Sequence, residues 1–311
     1  MPDELSQEQT GRAGVWSLRS HLEVALATCW RGAIARHPWT DLPDLQNQIG
    51  LRRVDAPTGV VYSSAIAPRL AASLDTTTEE IATLLAHSWQ PPAEPQADWA
   101  DSLLTVTQRH LIQIRLGDRL LAAWLQQFAK SASARAPSSP TLATPFVPIS
   151  PTPIQPSRSL RQNEYFQNEY FEMQAAHARC CALLTLAERL GLIRFEAPGM
   201  IDGALVWPAP LPWLEADGTL RTQQPTELRL LLQVVDSVDV LAQMQDGSAI
   251  ALAQALSRSV SSFDASCRIF GEVADCHPEL SQARLGLVRA AQQTLCWLLE
   301  GQLRVAAPMS L

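Results

Sequence analysis

Lysine is almost absent from this sequence, because Lys130 is the only one among its 24 lysine and arginine residues. A loop that grips phosphates with a lysine therefore has one candidate at most. The GxGxxG, Walker, HExxH and GxSxG motifs, which mark several large enzyme classes, are also missing. We therefore expect a protein that is not an enzyme and that has no cofactor. An enzymatic site would have to come from a geometry without a known motif.

The six cysteines are scattered without a CxxC pair. The one His/Cys pair at helical ligand spacing, His177 with Cys181, has no further ligands nearby in the sequence. We therefore predict no metal site and buried thiols in a reducing compartment. No apolar run reaches the roughly 18 residues of a membrane span, and the first residues are polar and acidic. We expect a soluble, cytoplasmic protein that does not bind membranes.

The formal net charge of -7 means that a basic patch cannot dominate the surface. Acidic proteins can still bind RNA through one local face. Charge therefore argues mildly against nucleic-acid binding and leaves it open.

A proline-rich stretch divides the chain, which has 311 residues, 47% of them hydrophobic. Between Lys130 and Arg158 a proline recurs about every fourth residue, which disfavours helix and sheet. We predict a domain over residues 1–130, a Pro/Ser-rich linker over 131–162 and a second domain over 163–311. Extended at about 3 Å per residue, the linker would let the domains lie up to roughly 80 Å apart.

The first domain is predicted to be α+β. Helical spacing covers residues 16–34, β-branched residues around a Pro-Thr-Gly turn indicate a hairpin over 48–63, and two helices follow. The second of these begins at Thr77, with Glu80 three residues later as in a capping box. Residues 106–116 alternate as one strand, and a helix over 119–128 ends the domain.

The second domain is predicted to be an all-α bundle of four or five helices, so the protein would be mainly helical overall. Apolar stripes at helical spacing cover residues 165–190, 226–241, 248–270 and 278–300. His177 lies on such a stripe, where a histidine is more often a packed core residue than a catalytic base or a metal ligand. Arginines on these helices could meet phosphates or simply face solvent.

Three segments of the second domain resemble the C-terminal anticodon-binding domain, also called the DALR domain, of arginyl-tRNA synthetases. Gln174–Leu184 (QAAHARCCALL) is similar to its opening helix, Ala251–Phe270 to a later helix, and Gln282–Met309 to its closing segment. Order and distance to the C-terminus agree. Weaker matches over 16–26, 61–89 and 106–128 resemble the N-terminal additional domain of the same enzymes.

The resemblance implies a tRNA-binding protein without the class I catalytic domain, since the HIGH and KMSKS loops are missing. The implied partner is tRNA, with tRNA for arginine as the expected species, and not DNA. Ala175 and Asp264 replace aromatic residues of the family pattern. The resemblance and the helix positions together give seven candidate RNA-binding residues: Gln174, His177, Arg179, Arg258, Arg268, Arg284 and Arg289.

The alternative function is a repurposed protein-interaction or assembly module that has lost RNA binding. Nine tryptophans support it, because those in or beside loops could anchor an interface. The candidates are Trp89, Trp99, Trp207 and Trp213.

Overall fold

Helices form most of the chain in the computed structural model, as the sequence predicts. It describes residues 17–34, 49–54, 56, 59–89, 99, 101–131, 158–222, 224–243 and 248–311, and for 158–169 the helical backbone alone. Most of the predicted linker, residues 132–157, lies outside these ranges. No helix in the described part is long and apolar enough to cross a membrane.

The N-terminal part is an antiparallel sheet with helices, which confirms the α+β prediction. Its elements are α1 (Leu18–Ile34), β1 (Leu51–Val54), β2 (Val61–Ser64), α2 (Ile66–Leu74), α3 (Thr78–Ser88), β3 (Leu103–Val106), β4 (Ile112–Arg115) and α4 (Asp118–Lys130). The strand order is β1-β2-β4-β3. The predicted capping box begins α3: Thr77 Oγ1 accepts from the Glu80 N–H at 3.2 Å, and Glu80 Oε2 accepts from the Thr77 N–H at 3.2 Å.

The prediction of one strand over 106–116 is wrong, because β3 and β4 form a hairpin around a turn. In this turn the Thr107 hydroxyl accepts from the Leu111 N–H at 3.1 Å, and His110 has a φ of 55°. The four residues between Val106 and Leu111 are all polar, and this break in the apolar alternation marks the turn.

The C-terminal part is a helical bundle with a small β-hairpin. Its elements are α5 (Arg158–Arg189), β5 (Arg194–Phe195), β6 (Leu205–Trp207), α6 (Pro225–Ala242), α7 (Ala249–Ser266), α8 (Glu272–Cys276), α9 (Pro278–Cys296) and a π-helical turn (Trp297–Gln302). The hairpin means that the prediction of an all-α domain is wrong in this detail. Strands of two and three residues are too short to show alternation in the sequence.

Two helix boundaries differ from those predicted, and the second bears on the candidate site. Helix α5 begins at Arg158, inside the range predicted as linker. Helix α7 ends at Ser266 rather than at Phe270, because Cys267 has an extended backbone with φ -109° and ψ 102°. Arg268 therefore lies in a connecting segment and not on a helix face.

Helix α9 is the central element of the bundle. Every residue from Ser281 to Cys296 is buried. The helix packs against α4 as well as α5, α6, α7 and α8. A helix surrounded in this way buries its polar side chains along with its apolar ones.

The two parts dock on each other and share one continuous hydrophobic core. Gln126 of α4 accepts hydrogen bonds through its Oε1 from the Leu211 N–H at 2.9 Å and from Trp213 Nε1 at 3.0 Å. Asp118 Oδ2 accepts from the Leu220 N–H at 3.0 Å. The sequence left open whether the two parts dock on each other, and in this structure they do.

Candidate nucleic-acid interface

Two of the predicted RNA-binding residues, Arg179 and Arg268, lie together at an open cleft of about 380 Å³ between α5 and the segment that follows α7. We call it the α5/α7 cleft. Leu183 and Leu186 of α5 and Phe270 of the segment supply apolar walls. Arg179 and Arg268 are both exposed. The cleft thus combines two cationic side chains with a partly buried aromatic ring.

Asp264 also lines the cleft and forms a bidentate ion pair with Arg179. Arg179 Nε lies 2.9 Å from Asp264 Oδ2, and Arg179 Nη2 lies 3.1 Å from Oδ1. The hydrogen bond from Arg179 to this carboxylate raises the pKa of Arg179. The side chains are 55% and 29% exposed, and exposed pairs of this kind contribute about 1 kcal/mol or less. A phosphate could therefore compete with Asp264 for Arg179.

Arg268 has no acidic partner at ion-pair distance within the described part of the chain, so its charge is available to a ligand. Its backbone is held by Arg284, whose Nη1 donates to the Arg268 carbonyl oxygen. The segment bearing the exposed guanidinium is thus fixed from inside the bundle.

Arg284 itself is buried, so the expectation that it lies on an exposed RNA-contacting face is wrong. Its Nε donates to Glu227 Oε1 at 2.6 Å, and both side chains are nearly inaccessible to solvent. The other Glu227 oxygen accepts from the Gln224 N–H at 2.8 Å and caps α6. Arg284 therefore joins α9, the start of α6 and the backbone of the cleft segment.

Arg289 and His177 are also buried, and they belong to one hydrogen-bond network. Arg289 Nη1 donates to Gln292 Oε1 at 2.9 Å, which turns the Gln292 amide nitrogen toward His177 Nε2 at 3.0 Å. His177 Nδ1 then donates to the Pro308 carbonyl oxygen at 2.8 Å. Burial, which is complete for Arg289, lowers its pKa to about 10. Both residues were predicted as candidate RNA-binding residues, but neither lies on a face that RNA could reach.

Arg289 further binds backbone carbonyls on either side of the linker. Its Nη2 donates to the Ser131 oxygen at 3.1 Å and to the Gly203 oxygen at 2.9 Å, and Nη1 donates to the Ile201 oxygen. Its role in this structure is to hold the end of α4 and the hairpin loop against α9.

The remaining two predicted residues lie apart from the cleft lining. Gln174 is partly buried and donates through Nε2 to the Ala306 carbonyl oxygen at 2.9 Å, so it helps His177 to hold the C-terminal tail. Arg258 is exposed on α7 but does not line the α5/α7 cleft.

Trp207 is the exposed member of the four tryptophans considered as interface anchors. It is 43% exposed, whereas Trp99 and Trp213 are buried and Trp89 is partly buried. Two exposed arginines beside it, Arg189 and Arg194, were missed at the sequence level. No motif marks them, because the hairpin that brings them to Trp207 has almost no sequence signal.

The exposed arginines and aromatic rings at these surfaces are suited to binding anions and to stacking on planar aromatic groups. Within the described ranges, no group of three or more His, Cys, Asp and Glu residues could hold a metal ion. Five of the cysteines are buried as predicted, but Cys276 is exposed. Burial raises the pKa of Cys181 to about 12, so this thiol stays protonated at neutral pH.

Neither a known protein family, nor a curated protein, nor a solved structure matches this chain.

Proposed function

We propose that the protein binds tRNA without aminoacylating it, as a relative of arginyl-tRNA synthetases that has their tRNA-contacting modules and lacks the catalytic core. The observation that carries the proposal is the α5/α7 cleft, where Arg179 and Arg268 come together from separate segments. The resemblance favours tRNA for arginine as the species bound.

The cleft has the chemistry that a nucleotide requires. Guanidinium groups pair with phosphates and stack on bases, and Arg268 has no acidic partner at ion-pair distance in the described part of the chain. Phe270 adds an aromatic ring and Leu186 an exposed apolar side chain. The helices that carry the three synthetase-like motifs, α5, α7 and α9, also pack against one another.

The test is an electrophoretic mobility shift of total tRNA at about 50 mM and about 200 mM salt, because phosphate contacts weaken as salt rises. We expect Arg268→Gln to weaken binding by about tenfold or more at low salt. It should also reduce the slope of log affinity against log salt by about one, which is the expected loss for one phosphate contact.

Arg229→Gln is the matched control, since Arg229 is an exposed arginine of α6 that lies outside the cleft lining. It removes the same charge from the same bundle and should leave affinity nearly unchanged. The absence of any shift by the wild-type protein at 50 mM salt would overturn the proposal. An equal loss of affinity in both variants would show that net charge, and not the cleft, determines tRNA binding.

A protein-interaction module is the second candidate function. It is favoured by large apolar side chains that stand exposed on the C-terminal part, with Phe171 at 57%, Leu190 at 58% and Met200 at 60%. If tRNA does not bind, a pull-down with this protein from native lysate should retain a protein partner in a stoichiometric amount. Leu190→Glu and Met200→Glu should then abolish its retention.

A further inference from the structure

A second open cleft, of about 910 Å³, lies between the C-terminal end of α5 and the β5–β6 hairpin. We call it the hairpin cleft. Arg189 of α5, Arg194 of β5 and Trp207 of β6 line it. It is separate from the α5/α7 cleft: by the 1.5 Å rise of a helix, Arg189 lies about 15 Å further along α5 than Arg179. The two clefts share no lining residue.

The aromatic ring in the hairpin cleft is exposed and is positioned by the strand pairing. Trp207 lies directly opposite Arg194 in the register of β5 and β6. The buried Trp213, by contrast, donates its indole N–H to Gln126. Exposed aromatic rings serve as stacking platforms for unpaired bases, and such stacking tolerates any base.

The charges beside Trp207 are positive and available. Arg189 and Arg194 are both exposed, and neither has an acidic partner at ion-pair distance within the described residues. Glu188, the acidic residue of the lining, is engaged by the loop instead. Its Oε2 accepts from the Gly199 N–H at 2.9 Å and its Oε1 from the Phe195 N–H at 3.3 Å.

We propose that the hairpin cleft binds an unpaired nucleotide of the RNA, with its base stacked on Trp207 and its phosphates paired with Arg189 and Arg194. The inference rests on the proposed RNA-binding function and adds single-stranded or looped RNA as the form recognised at this place. Two exposed guanidinium groups and one exposed aromatic ring in the same cleft favour a nucleotide over an apolar protein segment, because such a segment would leave both charges without a counter-ion.

Fluorescence-anisotropy titration tests the proposal with a fluorescein-labelled ten-nucleotide oligoadenylate, and mobility shift tests it with total tRNA. Trp207→Leu should lower the affinity for the oligonucleotide by about tenfold, which corresponds to the loss of one stacked base. Trp207→Phe should retain most of the affinity, since phenylalanine still stacks. Arg194→Gln should weaken binding and flatten the salt dependence, whereas Arg229→Gln should change neither.

Arg268→Gln separates this inference from the proposed function. The hairpin-cleft proposal is overturned if Trp207→Leu and Arg194→Gln bind both RNAs as tightly as the wild type does. The proposed tRNA binding still stands in that case, provided that Arg268→Gln weakens it. If the wild type binds the oligonucleotide through Trp207 but does not bind tRNA, the hairpin cleft is supported and the tRNA function fails. If Trp207→Leu leaves RNA binding intact and instead abolishes retention of a protein partner, the cleft is a protein-docking site and the proposal is overturned.

Discussion

At the scale of single residues, Asp264 has the most direct influence on the α5/α7 cleft, because its carboxylate occupies Arg179. Its charge opposes the entry of a phosphate, and the exposed ion pair adds little stability. We expect Asp264→Asn to raise the affinity for tRNA by several-fold at 50 mM salt, with a smaller gain at 200 mM, where screening is stronger. Mobility-shift titrations of the variant and the wild type measure this change.

The opposite signs expected for Asp264→Asn and Arg268→Gln make the pair informative. If both residues were purely structural, both variants would bind less tightly through loss of the fold. Urea unfolding should place Asp264→Asn within about 1 kcal/mol of the wild type. Unchanged or weaker tRNA binding by a folded Asp264→Asn variant would contradict a phosphate site at this cleft.

At the scale of secondary-structure elements, the buried Arg284–Glu227 pair connects α9 to α6 and to the segment bearing Arg268. Arg284→Met should lower the free energy of unfolding by about 3–5 kcal/mol, because it leaves the buried Glu227 carboxylate without its counter-charge. Urea unfolding followed by circular dichroism measures the loss.

The double variant Arg284→Met with Glu227→Gln distinguishes the charge from the packing. It should recover part of the lost stability, since no lone charge then remains buried, while the glutamine can still cap α6. If the double variant is as unstable as Arg284→Met alone, the uncompensated charge is not the cause of the loss.

Local signals in the sequence predicted those elements whose stability is itself local. The capping box of Thr77 and Glu80 formed as predicted because its partners are three residues apart. The end of α7 was misplaced because apolar residues keep helical spacing through Phe270, and the extended backbone at Cys267 is stabilised by contacts with α6: the Thr226 hydroxyl lies 3.1 Å from its Sγ.

The candidate site was predictable only in part, for the same reason. Arg179 and Arg268 remain exposed after folding, whereas Arg284 and Arg289, which are the same residue type, are buried. The difference is that α9 is covered on all sides, which depends on how α4 docks against the bundle. Helical periodicity contains no information on a fifth neighbour from another part of the chain.

At the scale of the whole molecule, α1 and the sheet dock on α6 around one buried carboxylate. Asp239 accepts hydrogen bonds from Ser17 Oγ at 2.8 Å, from the Arg19 N–H at 3.2 Å and from the Tyr62 hydroxyl at 2.5 Å. Burial raises the pKa of Asp239 to about 6. It also raises the pKa of Tyr62 well above its usual value, so Tyr62 stays protonated and remains a donor.

From this pKa we expect the stability of the contact to depend on pH. In the unfolded chain an aspartate titrates near 4, so the folded state holds the Asp239 proton more tightly. The stability contributed by protonated Asp239 is complete below about pH 4 and is lost as pH rises through about 6.

In Asp239→Asn this titration is absent. We therefore expect the free energy of unfolding of the wild type, minus that of Asp239→Asn, to fall by about 2 kcal/mol between pH 4 and pH 7. Urea unfolding of both proteins across this range measures the difference, and a difference that stays constant or grows with pH would show that Asp239 does not titrate within the interface.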